Sequence, residues 1–171
     1  MRIKLTRLPP APETVDTVWD VHRAVPLVPA TEVECKRRIQ RRCTITDPQT
    51  AHDWITLLRA LSLVTNTTQG YVRIADRPPL DEIRIRFVSA VLGAQEVLAL
   101  AFDDEKAQTG ESLLEVTKSL APPWEQLRDP QWESAWEQGH ARLVEWLALL
   151  GLLKQTTTGY QQQNPLSRYQ R

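Results

Sequence analysis

Residues 51–71, AHDWITLLRALSLVTNTTQGY, align without a gap on residues 140–160, HARLVEWLALLGLLKQTTTGY. Seven of the 21 positions are identical, among them Leu58 with Leu147, Leu61 with Leu150, Gly70 with Gly159 and Tyr71 with Tyr160. That number alone is modest; the pattern it falls on carries the weight. Trp54, Leu57, Leu58 and Leu61 recur at i, i+3, i+4 and i+7, one face of a helix, as do Leu143, Trp146, Leu147 and Leu150. Ser62 and Gly151 hold the equivalent stop position. Leu63-Val64 and Leu152-Leu153 can then begin a strand, and a Thr-rich turn with glycine follows in each copy. Each copy therefore predicts a helix running into a β-hairpin.

Working outward, Asp47-Pro48-Gln49 and Asp129-Pro130-Gln131 each offer an acidic N-cap followed by proline at the first helical position. Measured from these caps the second helix is the longer by about two turns, and the extra turns carry Trp132 and Trp136. Upstream of the first copy, apolar spacing predicts a helix over 14–25, stopped by Pro26. Thr31-Glu32-Val33-Glu34 is a capping box opening another, with Cys35, Ile39 and Cys43 on its inner side. Upstream of the second copy, the pattern predicts one helix over 81–100 and a shorter one over 110–120, ending before Pro122-Pro123. Pro78-Pro79 reads as a stiff linker. The expected divisions are a basic domain over 1–77, an acidic one over 78–163 and a polar tail over 164–171.

Three helices and a hairpin in this order are the plan of a winged helix. The segment LLRALSLVTNTTQGYVRI, residues 57–74, resembles the recognition helix and wing of winged-helix regulators. The chain as a whole is similar to archaeal, and in phrasing haloarchaeal, tandem winged-helix proteins, although those are usually strongly acidic. The resemblance implies a mainly α fold with small β-hairpin wings, two winged helices in tandem, and a role in binding double-stranded DNA as a transcription regulator. Some winged helices mediate only protein contacts, so an adaptor that touches only protein is the alternative reading, because fold does not decide function.

The chain has 171 residues, with 21 Lys plus Arg against 21 Asp plus Glu. Zero net charge excludes a protein that coats nucleic acid by bulk charge. The zero is a cancellation, however. Residues 1–78 carry 12 basic against 8 acidic residues, a net of +4, and residues 79–171 carry 9 against 13, a net of −4. The basic excess is concentrated in KRRIQRR, residues 36–42. On a helix Arg37 repels Arg41 and Arg38 repels Arg42, and phosphates would relieve that repulsion. Lys36, Arg37, Arg38, Arg41 and Arg42 are therefore candidate phosphate contacts, with neutralisation by the acidic half, or by Asp53, as the competing reading.

Gln49, His52, Thr56 and Arg59 are expected on the outward face of the third helix, where such side chains reach base edges or phosphates. Arg73 on the first wing is a further candidate. The equivalent face of the second long helix carries Glu133, Glu137 and Glu145 with Arg142 as the one counterweight, so it should repel phosphate. That copy is expected to serve assembly, as a homodimer or with a protein partner, through Trp132 and Trp136; at helical spacing the same tryptophans also fit a core.

Enzymatic readings find little support. The sequence lacks a phosphate-binding glycine loop, a metal-ligand cluster and a nucleophile motif, and the acidic run Asp103-Asp104-Glu105 has no partners for acid–base work. No cofactor is expected. Cys35 and Cys43, about 12 Å apart along a helix, lie beyond disulfide reach and read as small buried hydrophobes. No apolar run suits a bilayer span and no signal-peptide pattern opens the chain, so a cytoplasmic location is expected.

Overall fold

The two copies of the repeat fold alike down to single hydrogen bonds. The structure is a computed structural model and describes residues 2–102 and 107–163, so the acidic run at 103–105 and the tail at 164–171 lie outside it. A 3-10 turn at Leu5–Arg7 precedes α1 (Asp16–Ala24), α2 (Glu32–Arg42), α3 (Pro48–Ala60) and the hairpin β1 (Val64–Thr67) and β2 (Gly70–Arg73). Then come α4 (Leu80–Ala90), α5 (Ala94–Ala101), α6 (Gly110–Ser119), α7 (Pro123–Arg128), α8 (Trp132–Leu149) and the hairpin β3 (Leu153–Thr156) and β4 (Gly159–Gln162).

At the end of α3, Ser62 takes φ 56°, and at the end of α8, Gly151 takes φ 67°. These left-handed residues turn the chain back so that the Leu63 amide donates to the Leu58 carbonyl at 2.8 Å and the Leu152 amide to Leu147 at 2.9 Å. Each hairpin then pairs antiparallel, Thr67 opposite Gly70 and Thr156 opposite Gly159. A third strand residue joins each wing: Ala30 exchanges two backbone bonds with Tyr71, and Gln108 with Tyr160. The next residue in each case, Thr31 or Thr109, caps the following helix. A β-carbon on Gly70 would fall on the Ala30 carbonyl, and one on Gly159 on the Gln108 carbonyl. Both glycines also have positive φ, so two demands select the same residue at the same repeat position.

Three expectations are corrected. The helix over 81–100 is two helices, broken at Val91–Gly93, where Gly93 takes φ 88°. The break admits Ile3, whose amide donates to Ala90 at 2.8 Å and whose carbonyl accepts from Leu92 at 3.0 Å. Second, α7 intervenes before the long helix. Asp129 still accepts the Gln131 amide at 2.8 Å, but within a turn, and α8 starts at Trp132 without a side-chain cap. With 18 residues against 13 in α3, it is five residues longer, nearer one and a half turns than two. Third, Arg142 does not balance the acids of α8. It donates to the Leu8 carbonyl at 2.8 Å.

One apolar core runs through both halves. Trp146 of α8 meets the edge of Trp54 of α3, centroids 5.5 Å apart, and stacks on Phe87 of α4 at 5.7 Å. Its indole N–H donates to the Pro9 carbonyl at 2.8 Å. The N-terminal residues, which the sequence groups with the first half, thus lie along α8. Helix α4 ties the two units by a matched pair of arginines: Arg86 donates to the Leu61 carbonyl at the end of α3, and Arg84 to the Leu150 carbonyl at the end of α8. Each guanidinium meets the negative end of a helix.

Candidate nucleic-acid interface

Helix α2 is polarised along its length. The Thr31 hydroxyl accepts the Glu34 amide at 3.3 Å, and the Glu34 carboxylate accepts the Thr31 amide at 2.8 Å. Glu32 and Glu34 fill the first turn while Arg41 and Arg42 fill the last, the arrangement the helix dipole favours. Cys35 and Ile39 are buried against the core and Cys43 is half-buried. Both thiols are free, and burial pushes both above the ordinary range, so neither is disposed to react.

Of the basic residues, Lys36 is spent on Glu32 at 3.2 Å. Arg37, Arg38, Arg41 and Arg42 are exposed. Among the described residues none of the four has an ion pair or a side-chain hydrogen bond. At 3.6 residues per turn they occupy an arc of roughly 140°. Five of the described acids of the second half are engaged elsewhere: Glu133 and Glu137 on Lys118, Glu125 on Lys4, and Asp81 and Glu82 on the α4 arginines. Asp53 does not cover the arginines either. It is only 5% exposed, on the inner side of α3, where it accepts from Gln49 at 2.9 Å and faces Arg7 at 3.9 Å. Burial pushes its carboxyl up, against the pull of those two neighbours.

The α3 candidates are more constrained than the sequence implies. Gln49 is exposed but its amide serves Asp53. His52 lies 2.9 Å from Glu32 through Nδ1, a contact that, ahead of Lys36, holds the Glu32 carboxyl below its usual range. The Thr56 hydroxyl donates to the His52 carbonyl at 3.1 Å. Arg59 lies over the Tyr71 ring, 5.6 Å from its centroid. Arg73 stands at the foot of the first wing, opposite Val64, and not at its uncharged tip of Thr67 to Gly70. The structure thus gathers Lys36, His52 and Glu32 into one cluster and leaves the α2 arginines open beside it.

In the second half, Trp136 is buried, with its indole donating to Glu125 at 3.2 Å, and only Trp132 of the pair offers surface. On α7, by contrast, Trp124 (53%) and Leu127 (88%) are exposed. The sequence signal for them was PPWEQLR, a proline start followed by an isolated Trp and Leu.

Helices followed by a hairpin whose third strand residue precedes the second helix define the winged-helix class. The chain belongs to the halobacterial double winged helix domain family, whose model matches residues 1–166. No curated protein and no solved structure matches it. Among the described residues no helix is long and apolar enough to cross a membrane, and no group of three or more His, Cys, Asp or Glu is placed to hold a metal ion.

Proposed function

We propose that the chain is a DNA-binding regulator whose first winged helix holds duplex DNA by its phosphates, with the second supporting assembly. The observation that carries this is the row of exposed, unpaired guanidinia on α2, Arg37, Arg38, Arg41 and Arg42. Four like charges in that arc repel one another, and phosphate oxygens supply the acceptors they lack. Gln49, Thr56, Arg59 and His52 line the neighbouring face of α3, but their existing bonds favour backbone contact over base reading. Titration of duplex DNA at several salt concentrations tests the reading. Affinity falls with salt, and Arg37→Ala with Arg41→Ala lowers the slope of log K against log salt by about two. No retention of duplex at low salt overturns it.

A second reading, a winged-helix adaptor that binds only protein, is favoured by the exposed Trp124 and Leu127. A second copy bound there appears in sedimentation as a concentration-dependent dimer, abolished by Trp124→Ala with Leu127→Ala. Dimerisation that survives this pair but not Trp132→Ala moves the contact to α8.

A further inference from the structure

Between α1 and the foot of the first wing lies a cleft of about 350 Å³, lined by Trp19, His22, Arg23, Leu27, Arg73 and Arg77, with Ala75. Its size is at the lower end of small-molecule sites. Three guanidinia border it. Arg23 is paired with Asp20, and Arg77 faces Asp16 at 3.8 Å while stacking on Trp19, 4.5 Å from the ring centroid. Arg73 has no such neighbour: its Nε is buried and, among the described residues, has no hydrogen-bond partner. An unmet buried donor on a cation is costly, and a carboxylate satisfies it bidentately. His22 cannot play that part for Arg73 as a counter-ion. Its Nε2 faces the carbonyls of Leu63 (3.2 Å) and Ile74 (3.0 Å) and so carries the proton, and burial holds the ring's pKa below its ordinary value. The remaining wall is apolar: Leu27 is 56% exposed, and beside it Trp19, only 5% exposed, carries Arg77 on its ring.

A row of guanidinia over an indole and a leucine suits neither bare phosphate nor a neutral aromatic. We infer that the cleft binds a small organic anion with a flat apolar body, of the aromatic carboxylate class, its carboxylate on Arg73 and its ring against Leu27 beside the Arg77–Trp19 stack. The site is separate from the α2 arginines and does not depend on the DNA-binding reading. Arg73 also donates its amide to Pro26 at 2.8 Å, at the end of the α1 segment, so the occupant would bridge α1 and the wing.

The probe is 2-naphthoate, titrated into the full chain while the Trp19 indole N–H is followed by proton–nitrogen NMR, assigned with Trp19→Phe. The expected result is a saturable shift at that resonance, at least tenfold weaker in affinity in Arg73→Gln. The neutral isostere 2-naphthamide and inorganic phosphate should each bind at least tenfold more weakly than naphthoate. Equal binding of the amide, equal binding of phosphate, or an unchanged affinity in Arg73→Gln overturns the assignment. If Arg73→Gln melts early, Arg77→Gln on its more exposed side chain serves as the second variant. The same weakening supports the site, and naphthoate affinity unchanged in a folded Arg77→Gln rejects it.

Discussion

Gly139 sits in the middle of α8, where alanine is ordinarily better by about 1 kcal/mol. Here a β-carbon would stand 2.8 Å from both the backbone carbon and the Cβ of Leu5. Backbone cannot swing aside as a flexible side-chain end can, so the N-terminal turn would have to lift from the helix. Gly139→Ala therefore lowers the melting temperature despite its gain in propensity, and a thermal melt showing an increase would reject the close docking of Leu5. A comparable clash at Gly70 and Gly159 is compounded by their φ values of 126° and 150°. Conformation and space both select glycine there, which is why this repeat position was readable from residue type alone.

At the scale of elements, α2 is held in place by Cys35, Ile39 and its capping box, none of which involves the four arginines. Their removal should thus separate stability from binding. Arg37→Ala with Arg41→Ala changes urea-unfolding stability by no more than about 0.5 kcal/mol, since relieving one like-charge pair offsets losing Arg41 from the helix C-terminus, while DNA affinity falls. A marked loss of stability in that variant would mean that the guanidinia brace the fold. The repeat, both wings, the capping box and the arginine row were legible in the sequence because local periodicity and cap chemistry determine them. The break between α4 and α5 was not, because the apolar pattern continues through Val91-Leu92 and its cause, Ile3, lies some 90 residues away. The six residues of α7 are too few for periodicity to register. Nor was the burial of Asp53 legible, because an acidic residue ordinarily faces water. Trp136 fits either reading by its spacing; what decides it is α7, whose Glu125 meets its indole.

Across the whole molecule, the core that joins Trp54, Phe87 and Trp146 makes one unfolding unit of both halves, and each half contributes a buried histidine. Burial is the first cause that holds both His22 and His140 below 6.5; for His22 the nearby Arg73 and Arg23 add to it. A proton then binds the unfolded chain more readily than the folded one. The associated stability is complete above pH 6.5 and declines as pH falls below it. Asp53, raised by burial from 3.8, acts in the opposite sense, its folded form gaining stability on acidification. Calorimetry between pH 7.5 and 5 should show a single transition moving to lower temperature with acid, with a shallower slope in His140→Gln. Two resolved transitions, or a midpoint independent of pH, would contradict this account.

The docking of the N-terminal segment on α8 also sets a schedule for synthesis. Pro9 and Trp146 are separated by 137 positions, so at about 5–20 residues per second translation runs for roughly 7–27 s between them. Throughout that interval Leu5 and Leu8, both buried in the finished protein, lack the helix that covers them. The first winged helix emerges with Trp54 likewise uncovered, waiting for the same partner. The nascent chain therefore keeps this segment uncovered on the ribosome until α8 has been made, and a holding chaperone has its natural grip there.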